Sequence, residues 1–269
     1  MSKKTMTVDL LWRCIWMKFD ELDKRMRIYE TAHDYCVPPQ IYIVARIDGR
    51  NFTRLTKETH PFEAPFDENF RDCMVETVRH LMQCGFNVVY GYTESDEISL
   101  LFHMDETAFG RKTRKWNSVL AGEASARFSV LLGAHACFDC RLSELPNADL
   151  VVDYFRWRSE DAHRNALNSH CYWLLRKNGK SAKVATDFLE GKSIAFKNEL
   201  LFQHGINFNE IPSWQKRGVG LYWVEREKMA FNPKTQENVI CSRKELVVDL
   251  ELPMREAYGE FITRKIESG

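Results

Sequence analysis

The chain has 269 residues, with 38 basic and 38 acidic side chains and a formal net charge of zero at pH 7. Hydrophobic residues make up 44% of it, which is enough for a sizeable core. No segment approaches the roughly 20 apolar residues that span a bilayer, so no membrane contact is expected. A dedicated duplex-binding protein would usually be more basic, so contacts with nucleic acid must depend on local basic patches.

The N-terminal stretch 10–17 is apolar but short, and Arg13 interrupts it. It lacks a small-residue cleavage site, so we expect a packing segment or a partner contact rather than a signal peptide. The eight cysteines are then expected to stay thiols of a cytoplasmic protein. Cys137 and Cys140 have C-x-x-C spacing, but no second pair follows, which favours two packed thiols over a zinc or redox site.

The first half of the chain has clear strand and helix patterns. Asp67 is a plausible N-cap, and Gly85 and Gly133 are typical helix ends. The patterns predict, in chain order, strand 41–47, helix 67–84, strands 87–93 and 97–103, helix 106–132 and strand 135–142. This is the β-α-β-β-α-β order of ferredoxin-like α+β folds, which predicts an antiparallel sheet with helices on one face.

The second half is expected to pack on the first, because no Pro/Gly/Ser linker separates them. Its patterns predict helices from 147 to about 179 and from 183 to 204, a β-hairpin between 218 and 250, and a closing helix at 253–268. We therefore expect one unit over 1–269, with a core at 19–145 and a C-terminal helical and β-hairpin extension at 146–269.

Two acidic segments are predicted to meet at one edge of the sheet. Asp48 follows the first strand, and Asp96 lies in the turn between the second and third strands. Because the first and third strands are central in this order, the two carboxylates should face each other. Magnesium takes hard oxygen ligands and completes its octahedron with phosphates, and Gly49 leaves its backbone carbonyl open. Each segment alone is also typical of an ordinary solvated turn, but together they favour a metal site.

Several motifs then point to one family. The signature R-[LI]-D-G-R-x-F of the tRNA-histidine guanylyltransferase family resembles Arg46-Ile47-Asp48-Gly49-Arg50-Asn51-Phe52, and its S-D-E motif resembles Ser95-Asp96-Glu97. Further similar segments follow in the same order, at 109–115, 138–141 (F-D-x-R), 154–158 (Y-[FL]-x-W-R), 197–199 and 216–218. The resemblance runs over nearly the whole chain from about residue 19.

The resemblance implies a polymerase palm-like catalytic core that adds nucleotides to a tRNA 5′ end. The 3′-hydroxyl of an incoming nucleoside triphosphate, such as GTP or ATP, would attack an activated tRNA 5′ end. A homotetramer is also implied. The implied catalytic residues are Asp48, Asp96 and Glu97, with two magnesium ions bound by Asp48, Gly49 and Asp96. The implied nucleotide-binding residues are Arg46, Arg50, Asn51, Phe52, Ser95, Arg111, Lys112 and Lys115, and the RNA-binding residues are His163, Asn165, Lys197, Asn198, Lys216 and Arg217.

Two departures from the family pattern bear on the reaction. Ala64 stands where the family has a lysine in an A-K-P-x-D loop, which is associated with nucleotide activation. The family's H-I-N-N-L-Y-N-like helix matches only at His163, Asn165 and Leu167. These departures favour the guanylyltransferase-like branch, which repairs 5′-truncated tRNAs against the opposite strand. Dedicated guanosine addition to histidine tRNA, a nucleotide cyclase and a non-enzymatic RNA-binding protein are the alternatives.

Overall fold

The computed structural model describes residues 18–60, 62–232 and 237–268, so the apolar stretch 10–17 lies outside the described residues. The strands are β1 (Tyr42–Gly49), β2 (Val88–Glu94), β3 (Glu97–Phe102), β4 (Phe138–Leu145), β5 (Val219–Asn232) and β6 (Glu237–Asp249). The helices are α1 (Phe19–Glu30), α2 (Glu68–Leu81), α3 (Thr113–Leu132), α4 (Ala148–Lys177), α5 (Ala182–Leu189), α6 (Ile194–Phe202), α7 (Ser213–Arg217) and α8 (Arg255–Ser268). Short helical turns occupy Phe52–Arg54, Leu55–Thr59, Ala108–Arg111 and Phe208–Glu210.

The strands form one antiparallel sheet in the order β4-β1-β3-β2-β5-β6. The predicted β-α-β-β-α-β order is confirmed, and β1 lies between β4 and β3. Asp48 is therefore paired in register with Glu97 on one side and with Asp139 on the other. The C-terminal extension does more than pack on the core, because β5 pairs with β2 and continues the same sheet.

Helices cover both faces of the sheet. On the first face, α2 and α3 pack on Ile47 and Ile98, and Trp116 is fully buried there. This agrees with the prediction that the core helices share one face. On the second face, α4 and α8 pack on Tyr90 and Leu101. Because side chains alternate along a strand, Arg46 and Asp48 of β1 share the face that α4 covers.

Three helix boundaries differ from prediction. The helix predicted at 106–132 begins only at Thr113, because the backbone of 109–111 is left-handed, with φ of 53°, 61° and 57°. The helix predicted at 183–204 is two helices, α5 and α6, separated at Gly191, whose φ is +68°. The helix predicted at 67–84 has the expected Asp67 cap but ends at Leu81. No helix in the described ranges is long and apolar enough to cross a membrane.

Candidate active site

The end of β1 and the turn between β2 and β3 are joined by a backbone hydrogen bond. The Gly49 amide donates to the Asp96 carbonyl over 3.0 Å. Ser95, in the left-handed region with φ of 48°, makes the two-residue turn, and its hydroxyl donates to Asp96 Oδ1 over 3.1 Å. The structure therefore brings Asp48, Gly49, Ser95 and Asp96 together at one edge of the sheet.

This edge brings two negatively charged carboxylates close together, and only an exposed, shared arginine pairs with one of them. Burial raises the pKa of Asp96, and the nearby charge of Asp48 raises it further. The cation closest to Asp48 is Arg141, with Nη2 3.8 Å from Asp48 Oδ2, and it is 57% exposed and shared with Asp139. A divalent cation would relieve this repulsion, because carboxylates close together disfavour their charged forms.

The donors at this edge fit magnesium. Among the described residues, no group of three or more His, Cys, Asp or Glu side chains is arranged to hold a metal ion. Asp48, Asp96 and the Gly49 carbonyl provide only hard oxygen donors. Magnesium is bound in proteins through one or two carboxylates, with water and substrate phosphates as its remaining ligands. An incomplete protein ligand set of this kind is therefore what a substrate-bridged ion requires.

Behind this edge lies an ion-pair cluster of Arg46, Glu94, Glu97, Arg158 and Asp161, which we call the arginine–carboxylate cluster. Arg158 is 3% exposed, and its Nη2 lies 2.7 Å from Glu97 Oε1, 3.0 Å from Glu94 Oε1 and 3.3 Å from Asp161 Oδ2. Arg46 also pairs with Glu97. Burial, reinforced by the charge of Glu97, raises the pKa of Glu94 to about 8 although Arg158 opposes it.

The cluster changes the assignment of Glu97 and Arg46. Both were predicted to act on substrate, Glu97 as a catalytic residue and Arg46 as a nucleotide ligand. In the structure they pair with each other, and Arg158 Nη2 donates to the same Glu97 oxygen, Oε2, over 3.0 Å and lies 2.7 Å from Oε1. Their charges are already matched, so they support β1 and β3 from behind the Asp48–Asp96 pair.

A cavity of about 760 Å³ opens beside Asp96. Its walls include Lys57, Ala64, Asn165, Tyr172 and Trp173. A second recess of about 540 Å³ shares Phe52, Thr53, Lys57 and Asp96 with it and extends to Gly49 and Asn51. Asp96 thus lies where a cavity large enough for a nucleotide meets the sheet edge, within reach of the charge of Asp48.

The residues after Gly49 have different environments. Arg50 is exposed, and Asn51, with φ of 62°, lines the second recess. Phe52, predicted to bind nucleotide, is 2% exposed and packs on Phe128 and Phe138, with ring centroids 5.2 and 4.8 Å away. Phe52 is therefore a core residue whose edge forms part of the cavity wall.

Arg111, Lys112 and Lys115 lie at the other end of β1. The Arg111 guanidinium is buried and donates to the carbonyls of Met104 (2.9 Å) and Ile41. Lys112 Nζ lies 2.9 Å from Asp34, and Lys115 is exposed. Ile41 lies seven positions before Asp48, which is about 23 Å of strand at roughly 3.3 Å per residue. Within one chain these three side chains do not reach the Asp48–Asp96 pair, contrary to their predicted role in binding a nucleotide there.

The predicted RNA-binding residues on α7, Lys216 and Arg217, already donate hydrogen bonds to backbone carbonyls of the protein. Lys216 is 5% exposed, and its ammonium donates to the carbonyls of Phe208 and Asn209 over 3.2 and 2.7 Å. Arg217 donates to the Leu252 carbonyl over 2.8 Å. The Lys216 ammonium is therefore buried, with two of its donors on backbone carbonyls, and it is not exposed to an RNA phosphate, which contradicts its predicted role.

The other predicted RNA-binding residues lie on α4 and α6. Asn165 lines the cavity, whereas the His163 ring packs edge-on against Phe208, 5.3 Å away, and burial lowers its pKa. Lys197 and Asn198 are half-buried on α6, and the Asn198 amide donates to the Ile194 carbonyl over 3.0 Å. Of the six predicted residues, only Asn165 reaches the cavity beside Asp96.

Cys137 and Cys140 are free thiols. Burial raises the pKa of Cys140 to about 12, so it is an unreactive thiol.

Sequence reasoning also missed residues that shape the site. Arg158 lies in the Y-[FL]-x-W-R segment, for which no role was predicted. Glu94 lies directly before the S-D-E motif. Lys57 and Trp173 carried no motif signal, because only the fold brings them together.

Comparisons with known proteins identify the family. The family model described as tRNAHis guanylyltransferase matches residues 23–146, and the Thg1 C terminal domain model matches residues 149–251. The chain is 33% identical over 224 residues to the Probable tRNA(His) guanylyltransferase of Drosophila melanogaster, which covers 80% of this chain and 77% of that protein.

Two solved structures have the same fold. A bacterial tRNA(His) guanylyltransferase-like protein in complex with ATP has a TM-score of 0.71 and 26% identity, over 91% of this chain and 99% of that one. A bacterial protein of the same description in complex with GTP has a TM-score of 0.67 and 27% identity, over 91% and 98%. The chain is therefore a member of the tRNA(His) guanylyltransferase family, a family of nucleotidyltransferases.

Proposed function

We propose that this protein adds nucleotides to the 5′ end of tRNA in the 3′-to-5′ direction, directed by the opposite strand. The observation that carries the proposal is the proximity of Asp48 and Asp96, whose segments are joined by the Gly49–Asp96 backbone hydrogen bond, at a sheet edge where Asp96 lines the cavity. Family membership supplies the reaction class, and the ATP and GTP bound to the solved bacterial relatives support nucleoside triphosphates as substrates.

The proposed site would hold two magnesium ions through Asp48, Asp96 and the Gly49 carbonyl. Bound ions would neutralise the phosphates and make the attacking hydroxyl more acidic. In the reaction, the 3′-oxygen of the incoming nucleotide forms a bond to the 5′ α-phosphorus of the tRNA. The bond from that phosphorus to pyrophosphate or AMP breaks, and the hydroxyl proton passes to solvent.

The chain's own residues contribute positioning, which dominates catalysis of phosphoryl transfer. The arginine–carboxylate cluster holds β1 and β3 in register behind Asp48 and Asp96. The hydrogen bond from Ser95 orients the Asp96 carboxylate. Asn165 and the aromatic rings of Tyr172 and Trp173 offer polar and stacking contacts to a base in the cavity.

Two activities within the family fit this site. Ala64 places no charge at the loop position where the family has a lysine, which favours repair of tRNAs that already have an activated 5′ end. The second candidate is guanosine addition to histidine tRNA, favoured by the names of the matching relatives. In both cases we propose one catalytic unit, with a palm-like core at 19–145, an extension at 146–269 and assembly as a homotetramer.

The test compares the protein with its Asp48→Asn and Asp96→Asn variants on 5′-truncated tRNAs, with magnesium and labelled nucleotides. Each variant should lose at least about 100-fold in incorporation while keeping its fold, because a metal ligand is lost. Asp105→Asn is the matched control, since that carboxylate is 89% exposed and lies on the loop after β3. Incorporation at the wild-type rate in both site variants would disprove the assignment.

The same assay separates the two activities. Templates should be offered with each of the four bases opposite the missing position, on triphosphorylated and on monophosphorylated ends. Addition that follows the template base supports repair. Addition of guanosine alone, on histidine tRNA alone, supports the second candidate and rules out the first.

A further inference from the structure

Lys57 lies where the two cavities of the site meet. It lines both the 760 Å³ cavity and the 540 Å³ recess, as does Asp96. It stands on the helical turn Leu55–Thr59, which follows the left-handed residue Asn51 closely in the chain. A ligand that extends from the recess at Gly49 into the aromatic cavity must therefore pass both Lys57 and Asp96.

Two aromatic rings hold the ammonium group of Lys57. Its Nζ lies 5.7 Å from the ring centroid of Tyr172 and 5.7 Å from that of Trp173. Cations within about 6 Å of an aromatic face are attracted to it electrostatically. The rings steady the ammonium without neutralising its charge, which leaves all three N–H donors available to an anion.

The remaining cation of the cavity wall is already paired. Arg71 Nε lies 2.8 Å from Asp72, its guanidinium stacks 4.7 Å from the Trp214 ring centroid, and its side chain is 15% exposed. Lys57 is exposed and, among the described residues, forms no ion pair. Ala64 adds no charge to the same wall. An anion in this cavity would thus find its positive partner at Lys57.

A phosphate chain is the anion that fits this cavity best. The wall around Asp96 also carries the carboxylates of Glu63 and Asp67, which repel an anionic ligand unless a cation intervenes. A polyphosphate can bridge the metal-binding edge and Lys57 because it has several separately charged groups. A lysine ammonium is a point charge well suited to phosphate.

We propose that Lys57 binds the phosphate chain of the substrate in this cavity and supplies the positive charge that Ala64 does not. The inference rests on the proposed function and names a residue that determines affinity for that function's substrate. The phosphate chain belongs either to a free nucleoside triphosphate or to the 5′-triphosphate of an RNA. Both present the same chemistry to Lys57, and binding assays separate them.

The experiment measures binding by the full-length protein and by Lys57→Met. Tryptophan fluorescence with ATP and magnesium reports the free nucleotide, and adenosine serves as a ligand with the same base and no phosphate. A second arm uses short RNAs ending in 5′-triphosphate or in 5′-hydroxyl. Lys57→Met should weaken binding of one phosphorylated ligand by about tenfold to a hundredfold, the usual effect of losing a charged hydrogen bond. Binding of its phosphate-free counterpart should stay unchanged.

Lys192→Met is the matched control, because Lys192 makes a similar contact with Phe196, 5.1 Å from the ring centroid, on another part of the surface. Lys57→Arg should keep most of the affinity, since the charge is retained. Equal affinity of wild type and Lys57→Met for both phosphorylated ligands would overturn the inference, and so would equal losses in Lys57→Met and Lys57→Arg. Thermal melting of each variant shows whether it folds.

Failure of this inference is distinguishable from failure of the proposed function. Template-directed incorporation that depends on Asp96, together with unchanged binding in Lys57→Met, would overturn the inference alone. Phosphate binding that depends on Lys57, without incorporation on any tRNA by the wild-type protein, would overturn the proposed function alone.

Discussion

The arginine–carboxylate cluster predicts a large loss of stability in Arg158→Met. Arg158 is 3% exposed and pairs with Glu94 and Glu97, whose side chains are 9% and 13% exposed. Methionine fills a similar volume but leaves these carboxylates without their main partner. Breaking a buried ion pair in this way costs about 3–5 kcal/mol. A domain of this size unfolds with a total of about 5–15 kcal/mol, so the variant should be near the limit of folding.

The measurement is urea unfolding, supported by thermal melting, at pH 8 and at pH 5. A loss of this size lowers the Tm by roughly 6–20 °C, at about 2–4 °C per kcal/mol. Burial raises the pKa values of Glu94 and Glu97, and Arg158 opposes that rise. Without Arg158 both pKa values rise further, so the difference in stability between wild type and variant should be larger at pH 8 than at pH 5, where the freed carboxylates can protonate.

A matched control separates burial from simple loss of an ion pair. Arg226→Met removes the Arg226–Glu245 pair, which has a 2.9 Å contact but side chains that are 64% and 56% exposed. Exposed pairs contribute about 0–1 kcal/mol, so this variant should unfold nearly as wild type does. If Arg158→Met lost no more stability than Arg226→Met, or lost the same amount at both pH values, the reasoning would be refuted.

Two further variants test the fold around the site. The folded-state pKa of Glu94 is raised from 4.5 to about 8, so its contribution to stability is complete below pH 4.5 and is lost as the pH rises to 8. The Tm of Glu94→Gln, measured relative to the Tm of wild type, should therefore rise as the pH increases from 5 to 8. A Tm difference between the two proteins that is the same at pH 5 and at pH 8 would contradict this. Arg111→Met should lower stability by about 1–3 kcal/mol, because buried carbonyls lose their donor. The exposed Lys115→Met should melt as wild type does, and an unchanged Tm in Arg111→Met would contradict the contacts seen here.

Local signals predicted the core of the fold. Asp67 accepts hydrogen bonds from the amides of Asn69 and Phe70, as an N-cap should, and Gly133 ends α3 in the left-handed conformation. The acidic turn was also predicted from its place between two strands. These features depend on short-range backbone chemistry, which the sequence displays directly.

Long-range contacts determined what the sequence could not show. Phe109 is left-handed, with φ of 53°, in a place where a helix was predicted, because the turn brings Arg111 to carbonyls near the start of β1. Lys216 and Arg111 counted as basic residues available for RNA or nucleotide, yet Lys216 is buried on carbonyls seven and eight residues before it, and Arg111 on the carbonyls of Met104 and the distant Ile41. Basic residues in a sequence do not reveal whether the fold has already used their donors.

Two kinds of backbone build the site, regular strands with a tight turn on one side and an irregular connection on the other. Asp48 and Asp96 are held by strand register and a main-chain hydrogen bond. Lys57 and Ala64 lie instead on the irregular connection between β1 and α2. Under the proposed roles of these residues, substitutions on that connection should alter which 5′ end or nucleotide is accepted while the carboxylates keep their spacing. Chemistry and selectivity could then evolve separately within a single site.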